Sequence, residues 1–84
     1  MRLDKFLKVS RLIKRRTIAK EVSDAERVLV NGKIAKASKE IASGDEIEIT
    51  FGKNVVKIRV LKIMDSTKKT DAEEMYELIS EKTK

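Results

Sequence analysis

Between residues 3 and 13, Leu3, Phe6, Leu7, Val9 and Ile13 fall within about 160° of one another on a helix turning 100° per residue. The spacing predicts a helix with one buried stripe. Arg2, Lys5, Lys8 and Arg11 recur every third residue on its other side. A second helix is predicted over 17–25, with Ile18, Val22 and Ala25 on its inner face. The period then changes. Val28 and Val30 flank Leu29 ahead of Asn31 and Gly32, a dipeptide suited to a two-residue turn because both positions tolerate positive φ, so a short hairpin is predicted. Ser43, Gly44 and Asp45 mark a second turn, after which Glu46, Glu48 and Thr50 alternate with Ile47, Ile49 and Phe51 in a strand with one wet face. A further turn at Gly52, Lys53 and Asn54 leads to a strand in which Val56, Ile58 and Val60 alternate with Lys57, Arg59 and Leu61, running to about residue 63. "DSTKKT" (65–70) is a polar break. Beyond it Thr70 and Glu73 have capping-box spacing, and with Met75, Leu78 and Ile79 they predict a short C-terminal helix over 71–80.

A chain of 84 residues makes one small domain, since a domain of this size buries only about 60–65% of its unfolded surface. Hydrophobic and charged residues each make up 40%, too apolar for disorder and too charged for a large interior. No apolar run approaches the roughly 20 residues that span a bilayer, and "MRLDKFLK" lacks the apolar stretch of a signal peptide, so a cytoplasmic location is expected by default. Helix one could be imagined as a basic amphipathic membrane anchor, but its apolar face lacks tryptophan and is needed for the core, so no membrane partner is expected.

Charge changes the picture most. The net charge is +6, yet residues 1–20 hold eight basic residues against the single acid Asp4 and carry +7, while the other twelve basic and thirteen acidic residues sum to −1. Positive charge concentrated at one end of the chain is the footprint of a polyanion partner. Lys14, Arg15 and Arg16 sit side by side just ahead of the second predicted helix, where the macrodipole disfavours cations by a few tenths of a kcal/mol each. A merely solvated helix face normally mixes signs, because opposite charges at i,i+4 support one another; this face has a lone acid. Asp4 has two readings: favouring the first helical turn through the dipole, or orienting Arg2 or another neighbouring cation. Of the three aromatic residues, Phe6 and Phe51 have apolar neighbours in pattern and read as buried, leaving few rings for stacking on unpaired bases. Phosphate and shape recognition of folded, double-stranded RNA or, second, DNA is what remains.

Catalysis is largely excluded by composition. Without histidine or cysteine there is no nucleophile–imidazole pair and no thiolate metal site, and no disulfide. Gly32, Gly44 and Gly52 stand apart in turns and build no phosphate-cradling loop. The carboxylates Asp45, Glu46 and Glu48 read as a solvated strand face, and Asp71, Glu73 and Glu74 as a helix first turn. No cofactor, no metal and no enzymatic activity are expected.

The segments "RLDKFL" (2–7), "RRTIAKE" (15–21), "VLVNGK" (28–33), "KAS" (36–38) and "GDEIEI" (44–49) resemble, in order and spacing, the RNA-binding domain named after ribosomal protein S-four. The resemblance implies an α+β fold: two N-terminal helices packed on a bent antiparallel sheet, to which the hydrophobic pattern adds the short C-terminal helix. Residues 1–64 would form the RNA-binding domain, and 65–84 a polar linker and a short acidic helix. The candidate RNA-binding residues are Arg2, Asp4, Lys5, Lys8, Arg11, Lys14, Arg15, Arg16 and Lys20. Many members of this domain family carry Ser or Thr at the position of Arg15, where it caps the second helix; Arg15 cannot cap in that way.

"MRLDKFLKVSRLIKRRTIAKEV", "FG", "TKK" and "MYELI" further resemble the RqcP family of small ribosome-associated quality-control proteins of Gram-positive bacteria. That resemblance implies binding to large-subunit rRNA and peptidyl-tRNA on a stalled large ribosomal subunit, beside an RqcH-type tailing factor that adds untemplated alanines to the nascent chain, and a monomer away from the ribosome. It also implies that Arg2, Asp4 and Arg16 matter most. A related heat-shock family, which rescues free large subunits by moving peptidyl-tRNA, typically has a longer basic C-terminal extension, unlike the acidic stretch 70–84 here. Pseudouridine synthases and tyrosyl-tRNA synthetases carry the same domain, but beside a catalytic domain for which 84 residues leave no room.

Overall fold

The first helix, α1 (Leu3–Val9), exists because Leu3, Phe6 and Leu7 lie on one side of it and are wholly buried. It has no side-chain cap at its start. Instead the N–H groups of Leu3 and Asp4 donate to the carbonyls of Lys39 (2.7 Å) and Ala37 (3.1 Å), and Ile41 N–H donates to the Met1 carbonyl (2.7 Å). A distant loop therefore satisfies the donors that a helix start leaves open. The computed structural model describes residues 1–64 and 72–83.

α1 ends at Ser10, and Arg11 takes a left-handed conformation with φ 63°. The expected helix through residue 13 is thus shorter, and Arg11 is not on it. Ile13 still reaches the core because the chain reverses and its N–H donates to the Leu7 carbonyl (3.0 Å); four more helical residues would have carried it about 6 Å further along the axis.

The second helix, α2 (Arg16–Asp24), packs on α1 through Ala19 and Ser23, which are fully buried, with Val22 half-buried. Its inner face is rotated by one residue from the expected Ile18, Val22 and Ala25: Ile18 is 42% exposed and Ala25 is exposed. Small side chains let the helix approach its neighbours closely, and the Ser23 hydroxyl is satisfied by donating to the Ala19 carbonyl (2.8 Å). A Schellman pair closes the helix, Glu26 N–H donating to Ser23 (3.0 Å) and Arg27 N–H to Val22 (3.2 Å), with Glu26 at φ 65°.

Five antiparallel strands follow: β1 (Val28–Val30), β2 (Lys33–Ile34), β3 (Glu46–Phe51), β4 (Asn54–Val60) and β5 (Tyr76–Thr83), in the order β2-β1-β3-β4-β5. Asn31 (φ 52°) and Gly32 (φ 83°) form the expected two-residue turn, with Val30 opposite Lys33. A Cβ on Gly32 would meet nothing within 4 Å, so Gly32→Ala carries only the conformational cost, about 1 kcal/mol. Thermal denaturation should show its midpoint lowered by roughly 4–8 °C.

Val28, Val30, Ile47, Ile49, Ile58 and Val60 fill one face of the sheet and, with Leu3, Phe6 and Leu7, form the core. The other face is wet and internally paired: Lys57 Nζ lies 3.4 Å from Glu46, Arg59 3.6 Å from Glu46, and Arg59 Nη1 2.9 Å from Glu77. Phe51 corrects an expectation. It is exposed, because β3 at that end runs on to its hairpin with β4, where Phe51 pairs with Asn54.

The C-terminal helix expected over 71–80 is not formed; a single turn near Ala72–Met75 leads into β5, which pairs along β4 from Val60↔Tyr76 to Asn54↔Thr83. Ten residues are too few for a helix to stand without a packed face. A strand satisfies the otherwise open edge of β4, and a bulge at Ile79, where Lys57 pairs with Ser80 but Ile58 with Leu78, absorbs the pattern that read as helical. Met75 and Ala72 are buried instead. The polar linker, and the Thr70 half of the predicted capping box, lie outside the described residues.

Candidate nucleic-acid interface

Asp4 is 2% exposed, a carboxylate buried in a basic neighbourhood. Its Oδ1 accepts the Lys5 N–H (2.8 Å) and lies 3.3 Å from Arg2 Nε; its Oδ2 accepts from Arg2 Nη2 (3.4 Å) and from Arg16 Nε (3.4 Å). One carboxylate thus orients two guanidinium groups whose side chains remain 46% and 50% exposed. The trio keeps a net charge of +1, and both arginines retain donors facing water.

Three elements build this arrangement. Arg2 is the residue ahead of α1 and forms a backbone β-bridge with Glu40; the Glu40 carboxylate holds the N-terminal ammonium at 2.9 Å. Asp4 lies in the first turn of α1, and Arg16 is the first residue of α2. α2 has neither a capping side chain nor an acid in its first turn, so its own N-terminus disfavours Arg16; the carboxylate that offsets this comes from the neighbouring helix. The contacts of Asp4 agree with both of its readings: the 2.8 Å bond from Lys5 N–H serves the first turn of α1, and Arg2 and Arg16 lie at 3.3–3.4 Å.

The other candidate residues are divided by the fold. Lys8, Arg11 and Lys14 line one open depression past the end of α1. Lys5 is half-buried between Arg2 and Lys8 along α1. Arg15 is the exposed residue capping α2 without a cap bond, and Lys20 is exposed one turn beyond Arg16. Among the described residues Lys8, Arg11, Lys14, Arg15 and Lys20 make no ion pair, whereas Lys57 and Arg59 on the sheet are neutralised by glutamates. Arg27, Lys33, Lys39, Lys53 and Lys82 are likewise without an ion pair among the described residues, but they stand apart, whereas the helices and the turn between them gather theirs within residues 8–20.

The pattern of apolar positions missed the part played by residues 36–41. This loop holds the start of α1 through the carbonyls of Ala37 and Lys39, and the end of α2 through Asp24, whose Oδ1 accepts Ala37 N–H (3.2 Å) and whose carbonyl accepts Lys36 Nζ (3.1 Å). The "KAS" segment was its trace in the sequence. Among the described residues there is no group of three acidic side chains that could hold a metal, and no helix long and apolar enough to cross a membrane.

Two helices on an antiparallel sheet, with outward arginines beside the first helix, define the S4 class, and the S4 domain matches residues 1–47. The chain is 58% identical to the RQC P-site tRNA stabilizing factor of Streptococcus pneumoniae and 54% identical to that of Bacillus subtilis, each over 96% of this chain and 92% and 94% of those proteins. The solved trimeric structure of Vibrio cholerae heat shock protein 15 superposes with a TM-score of 0.87 at 31% identity, over 95% of this chain and 82% of that one. The chain is an S4-domain protein and belongs to the family of RQC P-site tRNA stabilizing factors.

Proposed function

We propose that this protein is a non-catalytic RNA-binding factor of bacterial ribosome-associated quality control, working in the cytoplasm as a monomer when off the ribosome. It binds large-subunit rRNA and peptidyl-tRNA on stalled large subunits and assists the RqcH-type factor that adds alanines to the nascent chain. The observation that carries this reading is the Arg2–Asp4–Arg16 arrangement: two half-exposed guanidinium groups aligned by one buried carboxylate. Phosphate contacts set position and orientation without reading sequence, and arginine grips phosphate bidentately. A factor that keeps a tRNA in register against rRNA needs that kind of contact. Lys5, Lys8, Arg11, Lys14, Arg15 and Lys20 extend the same basic surface.

Arg16→Ala should leave the folded state intact, since the side chain is half exposed, while weakening binding to purified large subunits carrying peptidyl-tRNA by roughly tenfold. Unchanged co-sedimentation of that variant with such subunits would remove Arg16 from the interface. The structural likeness to heat shock protein 15 favours a second reading, rescue of free large subunits by moving peptidyl-tRNA. Deleting the protein separates the two: alanine tails on stalled chains vanish under the first reading and persist under the second.

A further inference from the structure

We propose that Lys8, Arg11 and Lys14 form a second phosphate seat, separate from the Asp4-held arginine pair, which takes an RNA backbone phosphate at the turn between α1 and α2. The proposal rests on the RNA-binding reading above and adds to it a distinct contact with a distinct physical character. These three side chains line one open depression, all are exposed, and none makes an ion pair among the described residues. Glu73 shares a neighbouring depression with Arg11 but forms no ion pair with it.

Arg11 is what makes this more than a solvated helix end. The dipole of α1 favours a cation near its C-terminus, which accounts for Lys8 in the last turn. It does not account for Arg11, whose φ of 63° is the conformation glycine adopts at small cost after a helix and L side chains rarely adopt. Its N–H donates to the Lys8 carbonyl (3.0 Å), the bond a glycine would make equally well. The other charged residue held this way, Glu26, has a partner inside the molecule, Lys36 at 3.6 Å. Arg11 has none among the described residues. An arginine held in a strained conformation without an ion pair there is positioned for a ligand, and three cations lining one depression select a phosphate.

The two seats differ in what they contribute. The arginine pair is oriented by a buried carboxylate and sets geometry. The trio carries +3 with no ion pair among the described residues, so its contribution is mainly counterion release and falls steeply with salt.

The test is anisotropy titration of the full-length protein with a short double-stranded RNA stem at a series of potassium chloride concentrations, comparing wild type, Lys8→Ala/Lys14→Ala, Arg11→Gly and Arg16→Ala. The double variant should lower the slope of log affinity against log salt by about one, the share of the single phosphate the seat holds, and Arg11→Gly should lower it by a smaller amount. Arg11→Gly should also keep or raise the melting temperature, because glycine relieves the left-handed strain; a residue retained for the fold would lower it. Combined with Arg16→Ala, the losses should multiply, as for independent sites. If Arg16→Ala weakens binding while the double variant and Arg11→Gly keep the wild-type slope, the second seat is overturned and the RNA-binding reading stands. Variants that keep RNA affinity but lose binding to large subunits would assign the depression to an acidic protein surface and equally overturn it. A wild type that shows no salt-dependent RNA binding overturns both.

Discussion

Phe6→Ala is expected to unfold most of the population at 37 °C. Phe6 is the largest of the wholly buried side chains, in a core that otherwise consists of aliphatic residues of one small domain. Truncating a buried phenylalanine costs about 3–5 kcal/mol, from lost transfer free energy and the cavity left behind. At roughly 0.05–0.15 kcal/mol per residue, a chain of this length has a total stability of the same order. The consequence reaches the interface directly, because Phe6 lies on the α1 face away from the exposed Lys8, and its burial fixes how α1 is turned on the core. Urea denaturation followed by far-UV circular dichroism measures the loss. A midpoint within experimental error of wild type would mean that the core is carried elsewhere.

Asp4→Asn should weaken binding to large subunits carrying peptidyl-tRNA, although it removes an acid from a basic surface. Charge alone predicts the opposite sign: net charge rises from +6 to +7, and a polyanion should bind more tightly. The geometry predicts a loss. Without the carboxylate, Arg2 and Arg16 repel one another across a gap that Asp4 now spans at 3.3–3.4 Å, and their orientation must be restored on binding. The expected result is about tenfold weaker binding to the stalled subunit, equivalent to about 1.4 kcal/mol, with affinity for a plain RNA stem unchanged or raised. Stability should also fall by roughly 1–2 kcal/mol; the value stays modest because both arginines are half exposed and water screens the pairs. Tighter binding to the subunit by Asp4→Asn would show that bulk charge, and not alignment, governs the interface.

Where local pattern and final structure agree, the signal was short-ranged. The stripe of Leu3, Phe6 and Leu7, the Asn31–Gly32 turn and the alternation of Glu46 with Ile47 each depend on neighbours a few residues away, and each is found as read. Where they disagree, a distant partner decided. Leu78 and Ile79 have helical spacing, but the open edge of β4 offers a row of hydrogen bonds that a ten-residue helix cannot match. Ile18 was the more hydrophobic choice for the inner face of α2, yet close packing selects Ala19 and Ser23. Resemblance pointed to Arg2, Asp4 and Arg16 together; periodicity could not, because Arg16 lies on another helix.

The sequence by itself determined where the positive charge lies, that no histidine or cysteine chemistry is available, and which residues could face a core, since composition and periodicity are properties of the chain alone. Only the tertiary structure decided that one buried carboxylate aligns two arginines from separate elements, that Arg11 leaves the helix into a left-handed turn beside Lys8 and Lys14, and that the last segment is a strand. The physical reason is that the grip of Asp4 on Arg16 and the pairing of β5 with β4 exchange free energy between groups far apart along the chain, while the end of α1 is set by the packing of Ile13 into a core drawn from the whole sequence; such terms do not appear in any local window of residues.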